Sequence, residues 1–156
     1  MSDRNLPGKE WLETLFDLAG VETSVEVKPE SDCYWLVIDD SPLTSEQTSI
    51  AIGSQGAVLD SLQYLVNTVS NLNAAENEQT AYTVELGGYR VKREAQLRQL
   101  AENAAEKARQ TGQEVEIDSL SAAERRQIHT IFKEWTDLET ESRGQEPYRK
   151  LVVRLK

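Results

Sequence analysis

The stretch AIGSQGAVLD, residues 51–60, sets two glycines three apart, Gly53 and Gly56, at the head of an apolar-periodic run. Glycines at this spacing let a backbone turn sharply and bring N–H groups close to a bound anion. Before the turn, Pro42 leads into a short helix around residues 44–51. After it, Val58, Leu62, Leu65, Val69 and Leu72 recur at helical spacing, widened by Leu59 and Val66. The glycines therefore join two adjacent helices. Between them stand Ser54 and Gln55, where a phosphate-gripping turn would gain from Lys or Arg. Two readings stay open on these residues: a nucleic-acid cradle, or only a helix-joining turn.

Upstream, KEWLETLFDLAG (residues 9–20) places Trp11, Leu12, Leu15, Phe16 and Ala19 on one helical face and stops at Gly20, after a loose entry at Asn5–Gly8. VETSVEVKP (21–29) alternates through Val21, Thr23, Val25 and Val27, and Pro29 ends the strand. CYWLVIDD (33–40) is a continuous apolar run, as in a strand buried on both faces, with Cys33 inside it. TAYTVEL (80–86) alternates again, and Gly87-Gly88 break the chain. The order is α-β-β-α-α-β.

Beyond the break, residues 89–112 form a long Ala-rich helix packing through Leu97, Ala101, Ala104 and Ala108, with Gly112 as a left-handed cap. EVEI (114–117) is a short strand. Ser121 and Glu124 make a capping box for the next helix. Two strands follow around a turn at Gly144–Pro147, giving α-β-α-β-β. The fold class is α+β with two small domains, a tail over residues 1–8 and domains over 9–88 and 89–156.

Composition narrows the function. In 156 residues, 38% hydrophobic and 28% charged content describes an ordinary globular chain. No run approaches the roughly 18 apolar residues of a membrane span. The first residues carry acids and no apolar core, so no secretory signal is expected. Cys33 and His129 are each single in the chain, which leaves no intrachain disulfide and no zinc site, and a cytoplasmic location is expected. The net charge of −10 conceals a split, with net −12 over residues 1–88 and net +2 over residues 89–156. Polyanion binding follows local fields, so the second half is the better phosphate partner.

On the helix opened by Ser121, with Arg125 set at zero, Ile128, Ile131, Phe132 and Trp135 fall between roughly 240° and 340°, the buried face. Arg126, His129 and Lys133 fall at roughly 40° to 100° by the same count. Arg125, Arg126, His129 and Lys133 thus make one basic edge of phosphate donors. The competing reading is a solvated helix edge with some i,i+4 pairing. Arg143, Arg149, Lys150 and Arg154 could extend the patch, although strand alternation separates Arg149 from Lys150 and Arg154. Catalysis would have to rest on His129, and no nucleophile or orienting partner is placed beside it by any motif, so a non-enzymatic protein is expected.

The α-β-β-α-α-β order with G-x-x-G between its helices resembles a type II KH domain. IGSQGAVLDSLQYLVN (52–67), GYRVKREAQL (88–97), AERRQIH (123–129) and ETESRGQEPYRKLVV (139–153) together resemble the bacterial Jag (SpoIIIJ-associated) family. Its members join a KH domain to an R-three-H domain named for its Arg-x-x-x-His signature, here Arg125 and His129. The likeness covers residues 45–156 by motif and residues 9–44 by topology. It implies non-catalytic binding of single-stranded nucleic acid, chiefly RNA with single-stranded DNA as a variant, in post-transcriptional regulation without a cofactor. The implied contacts are Gly53, Ser54, Gln55 and Gly56 in the loop, with Ile50, Ile52, Val58 and Leu59 as its groove. Arg125, Arg126, His129, Lys133, Arg143, Arg149 and Lys150 form the basic patch. Family members commonly have basic residues inside the G-x-x-G, and some carry a further N-terminal domain and long linker. The uncharged loop here, in an acidic half, also fits an interaction module that docks another KH protein or a second copy of itself.

Overall fold

The computed structural model describes residues 6–156. The chain divides into two compact units, the first running to Arg90 and the second from Val91 to Lys156. In the first unit, helix α1 (Pro7–Leu18) begins inside the stretch read above as a loose tail. Proline fits the first helical turn, whose N–H groups have no intrahelical partner. Gly8 is buried there, and a Cβ on it would meet the Tyr82 ring at 2.8 Å. Residues 1–5 of the expected tail lie outside the described residues.

Strand β1 (Val25–Pro29) starts four residues later than the alternation from Val21 implied. Strand β2 (Tyr34–Ile38) follows, then helices α2 (Ser45–Ile52) and α3 (Ala57–Ser70), and strand β3 (Tyr82–Leu86). The sheet order is β1-β2-β3, with β1 antiparallel and β3 parallel to β2. A parallel neighbour requires a crossover, which the α2–α3 pair provides. Leu12, Leu36, Ile38, Leu59, Val66, Val84 and Leu86 are almost fully buried and make the core. The expectation of a β2 buried on both faces is corrected: Leu36 and Ile38 are buried, whereas Tyr34, Trp35 and Val37 are half-buried. The apolar run is continuous, but only the Leu36 and Ile38 side of the sheet carries the core. Cys33 lies just before the strand and is also half-buried.

The outer edge of β3 is covered by side-chain amides of α3. Gln63 accepts from Val84 N–H at 3.1 Å. Asn67 accepts from Tyr82 N–H at 2.9 Å and donates to Tyr82 C=O at 2.8 Å. Asn71 repeats the pair with Thr80 at 2.8 Å and 2.8 Å. Positions 63, 67 and 71 recur one helical turn apart, matching alternate residues of the strand. An exposed strand edge invites pairing with other chains, and these amides satisfy it internally.

At the end of β3, Gly87 (φ +59°) and Gly88 (φ +69°) take left-handed conformations that turn the chain into helix α4 (Tyr89–Thr111). Glu85, 4% exposed, accepts from Leu86 N–H at 2.9 Å and from Arg90 N–H at 3.0 Å. A buried carboxylate at a helix N-terminus is stabilised by the unpaired amides there.

From Val91 onward α4 belongs to the second unit, followed by β4 (Val115–Ile117), α5 (Ala122–Phe132), β5 (Leu138–Arg143) and β6 (Lys150–Leu155). The sheet is antiparallel in the order β4-β6-β5. Leu97, Ala101, Ala105 and Ala108 of α4 pack with Ile117, Ile128, Phe132, Leu138, Leu151 and Val153. Alanines keep the helix close to its neighbours. Gly112 (φ +67°) closes α4, and the expected Ser121–Glu124 capping box opens α5.

The edge amides give a stability prediction. Asn67→Ala strips partners from both Tyr82 backbone groups and should lower unfolding free energy by about 2 kcal/mol. Ser54→Ala, on the exposed turn, should stay within about 0.5 kcal/mol. Urea denaturation of the two variants and the parent chain checks the difference.

Candidate nucleic-acid interface

The glycine turn adopts the geometry its residues predict. Gly53 closes α2 by donating to Ser49 C=O at 2.9 Å, with φ +75°. A Cβ there would stand 2.6 Å from Val58 Cγ2 and 2.8 Å from its backbone N, so only glycine fits. Gln55 is also left-handed (φ +53°), and Gly56 (φ +75°) lies where a Cβ would come within 2.5 Å of the Tyr89 ring. Ser54 and Gln55 are exposed. Of the expected groove residues, Ile50 and Val58 are exposed and Ile52 is half-buried. Leu59 is fully buried in the core and leaves the groove set. At the end of this unit, Arg90 is held by Asp60 at 2.8 Å.

In the second unit, α5 and the β5–β6 hairpin enclose an open groove of about 570 Å³. Its walls include Arg126, His129 and Lys133 from the helix, Thr140 and Ser142 from β5, and Arg149 from the hairpin. The His129 ring bonds through Nδ1 to the Thr140 hydroxyl, which fixes the ring and leaves Nε2 for a ligand. Arg149 Nε donates to Ser142 Oγ at 2.6 Å. Arg126 and Lys133 have no acidic partner among the described residues. Thr140 and Ser142 escaped the sequence reading. Their signal was the alternation Leu138, Thr140, Ser142, which puts both hydroxyls on the side of the buried Leu138.

Arg125 departs from the basic edge expected of it. It is 6% exposed, donates to Leu120 C=O at 2.8 Å and pairs with Glu146 in the hairpin turn. At zero on the helical wheel it lies only about 20° from Phe132 and 60° from Ile128, so the buried arc takes it in. Its guanidinium is thereby spent on protein groups. It holds the hairpin turn against α5 and fixes one wall of the groove.

Arg143 and Lys150 also stand apart. Paired with each other in register, they lie on the sheet face opposite Ser142 and Leu151. There Arg143 bonds Glu114 at 2.9 Å and Glu141 at 3.0 Å, and Lys150 bonds Glu116 at 2.8 Å. Arg154 joins the same network through Glu139 at 2.6 Å. The Glu114 hydrogen bond, then Glu141, pushes the Arg143 guanidinium pKa well up, and Glu116 raises that of Lys150. These cations are neutralised on a face away from the groove. Arg149 falls on the groove side, as strand alternation required.

Arg125→Ala should cost about 2–3 kcal/mol of stability, because it strands the Leu120 carbonyl and frees Glu146. His129→Ala and Lys133→Ala, on the exposed wall, should each stay within about 0.5 kcal/mol. Chemical denaturation of the three variants gives the ranking that checks this.

Comparison with known proteins adds a family. Residues 95–155 match the R-three-H domain, the unit that contains the groove. The chain is 31% identical over 147 residues, 94% of its length, to RNA-binding protein KhpB of Clostridium symbiosum, of which it covers 64%. It is 31% identical over 107 residues to the KhpB of Lactiplantibacillus plantarum, spanning 69% of this chain and 33% of that protein. It is 28% identical over 113 residues to the KhpB of Bacillus subtilis, spanning 71% and 53%. The chain thus spans less than two thirds of the length of each of these relatives. The chain carries an R-three-H domain over residues 95–155, and its likeness to the KhpB proteins agrees with the Jag-family resemblance read from its Arg-x-x-x-His and closing hairpin.

Proposed function

We propose that this protein binds single-stranded RNA without catalysing a reaction, gripping the backbone in the groove between α5 and the β5–β6 hairpin. One observation carries the reading. Arg126, Lys133, Arg149 and His129 converge on a groove free of unpaired carboxylates, while Arg98, Arg109, Arg143, Lys150 and Arg154 elsewhere in the unit are spent on acids. Backbone phosphates are the ligand that such donors fit, and they position a strand without reading its sequence. The printed names of the relatives, RNA-binding proteins, support RNA as the polyanion. The first unit, in its α-β-β-α-α-β order, serves as a KH module whose G-x-x-G turn offers backbone N–H groups to the same strand. Regulation of transcripts in a bacterial cytoplasm is the setting that this reading gives the protein. Among the described residues no helix is long and apolar enough to cross a membrane.

A second reading is favoured by the surface of the first unit. Ile50, Leu65 and Leu72 are 65%, 42% and 69% exposed in a half that carries net −12. On that reading the first unit docks a protein rather than RNA, a second KH-bearing chain being the fitting partner.

The groove is tested by salt dependence. Arg126→Ala and Lys133→Ala in the full chain should weaken binding to unrelated RNA sequences by similar factors. Each should make the slope of log affinity against log salt shallower by about 0.7. Unchanged slopes would show that the edge is only solvated. Replacing Ser54 and Gln55 with Lys should strengthen RNA binding if the strand crosses the glycine turn. No gain, measured on the same oligonucleotides, would move the protein-docking reading ahead for the first unit.

A further inference from the structure

The phosphate groove does not end at His129. On the far side of His129, Lys133 and Thr140 lies a second depression of about 290 Å³, which shares those three residues as its divider. The two have different chemistry. The first is walled by cations and hydroxyls, whereas the second adds Phe132, Trp135 and Leu138, with Lys156 at its rim. We infer that this second depression receives an unstacked nucleobase of the strand whose phosphates occupy the groove, with Trp135 as its stacking surface. The inference rests on the RNA reading above and adds a base site to it.

Three observations carry it. First, continuity: the same side chains wall both depressions, so a nucleotide whose phosphate meets His129 or Lys133 can place its base beyond them. Second, preorganisation: the Trp135 ring is held on two sides before any ligand arrives. Phe132 meets it edge to face, centroids 4.9 Å apart at 83°. The Arg109 guanidinium carbon stands 5.6 Å from the ring centroid, itself pinned by Asp137 at 2.7 Å and 3.0 Å. A ring already fixed loses little entropy when a base stacks on it. Third, charge: Lys133 has no ion-pair partner among the described residues, Lys156 adds its charge near Asp137, and the one acidic side chain in the wall, Glu139, is bound by Arg154 at 2.6 Å. An apolar, aromatic recess rimmed by Lys133 and Lys156 fits a base still attached to its phosphates. Purely apolar ligands would gain nothing from that rim.

The test uses the full chain and two probes of equal length, a single-stranded oligouridylate of about ten nucleotides and its abasic analogue. Changing Trp11 and Trp35 to Phe leaves Trp135 as the sole tryptophan. Oligouridylate should quench its emission on binding, and the abasic strand should bind without quenching. Trp135→Leu should lower affinity for oligouridylate by about five- to tenfold, the share of one stacked base, and leave abasic binding unchanged. If that variant unfolds, the sole-tryptophan quenching decides alone. Binding of oligouridylate with no quenching, or an equal loss on both probes in folded Trp135→Leu, would overturn the base site and leave the groove reading standing. Binding of neither probe by the parent chain would overturn both.

Discussion

Arg125 carries a fixed positive charge on a side chain that is only 6% exposed, and the second unit is arranged around satisfying it. A guanidinium cannot shed its proton at any physiological pH, so burial obliges the protein to surround it with acceptors. Leu120 C=O, just before α5, supplies one and Glu146 in the hairpin turn supplies another. The consequence is geometric. The segment leading into α5, α5 itself and the β5–β6 turn meet at one planar group whose donors have fixed directions. That junction sets the width of the groove in which Arg126, His129, Lys133 and Arg149 stand. The Arg of the Arg-x-x-x-His signature therefore shapes the groove, and the His, one turn on and exposed, lines it.

Around that junction the charges sort into two populations. On the outer sheet face, Arg143, Lys150 and Arg154 interlock with Glu114, Glu116, Glu139 and Glu141. Val152 lies on that same face, in register with Glu116 and Glu141, and is 1% exposed. On the groove face the polar partners are hydroxyls, Thr140 for His129 and Ser142 for Arg149. A hydroxyl orients a donor without cancelling its charge. The unit's net charge of +1 over Val91–Lys156 is thus a poor guide to its field, because acids pair the cations on one face and not on the other.

Much of this was legible in the sequence, and the parts that were not share a cause. Element order followed from local signals: the Ser121–Glu124 box, the glycines at 53, 56, 87 and 112, and the stripe Leu97, Ala101, Ala104, Ala108 all stand where the structure uses them. Alternation alone put Arg149 on the opposite face from Lys150 and Arg154. What failed needed knowledge of a distant neighbour. Arg125 reads as a surface cation until Glu146, 21 residues away, folds over it. Arg143 reads as a free cation until Glu114, just before β4, comes alongside. The apolar run of β2 reads as doubly buried because composition cannot say which face of a sheet the helices will cover. Gln63, Asn67 and Asn71 pass for a polar helix face, since nothing local reveals a strand edge waiting beside them.

The two units solve the problem of unpaired polar groups in opposite ways, and that contrast bears on what each can bind. In the first, backbone groups of an edge strand are matched by amides of α3, and the buried carboxylate of Glu85 is matched by the start of α4. At the glycine turn, α3 begins with no side-chain cap. A strand bound there would meet backbone N–H groups and the exposed side chains of Ile50 and Val58, at a loop whose own residues, Gly53 to Gly56, carry no charge. In the second unit, the buried guanidinium of Arg125 has its protein acceptors, while exposed donors beside it are left with a hydroxyl or, among the described residues, no acid. On the RNA-binding reading proposed above, long-range attraction to a polyanion would come from the R-three-H unit, and the glycine turn would add contacts at short range. An RNA strand would be drawn to the α5 groove first, and any sequence reading by the glycine turn would act on a strand already held.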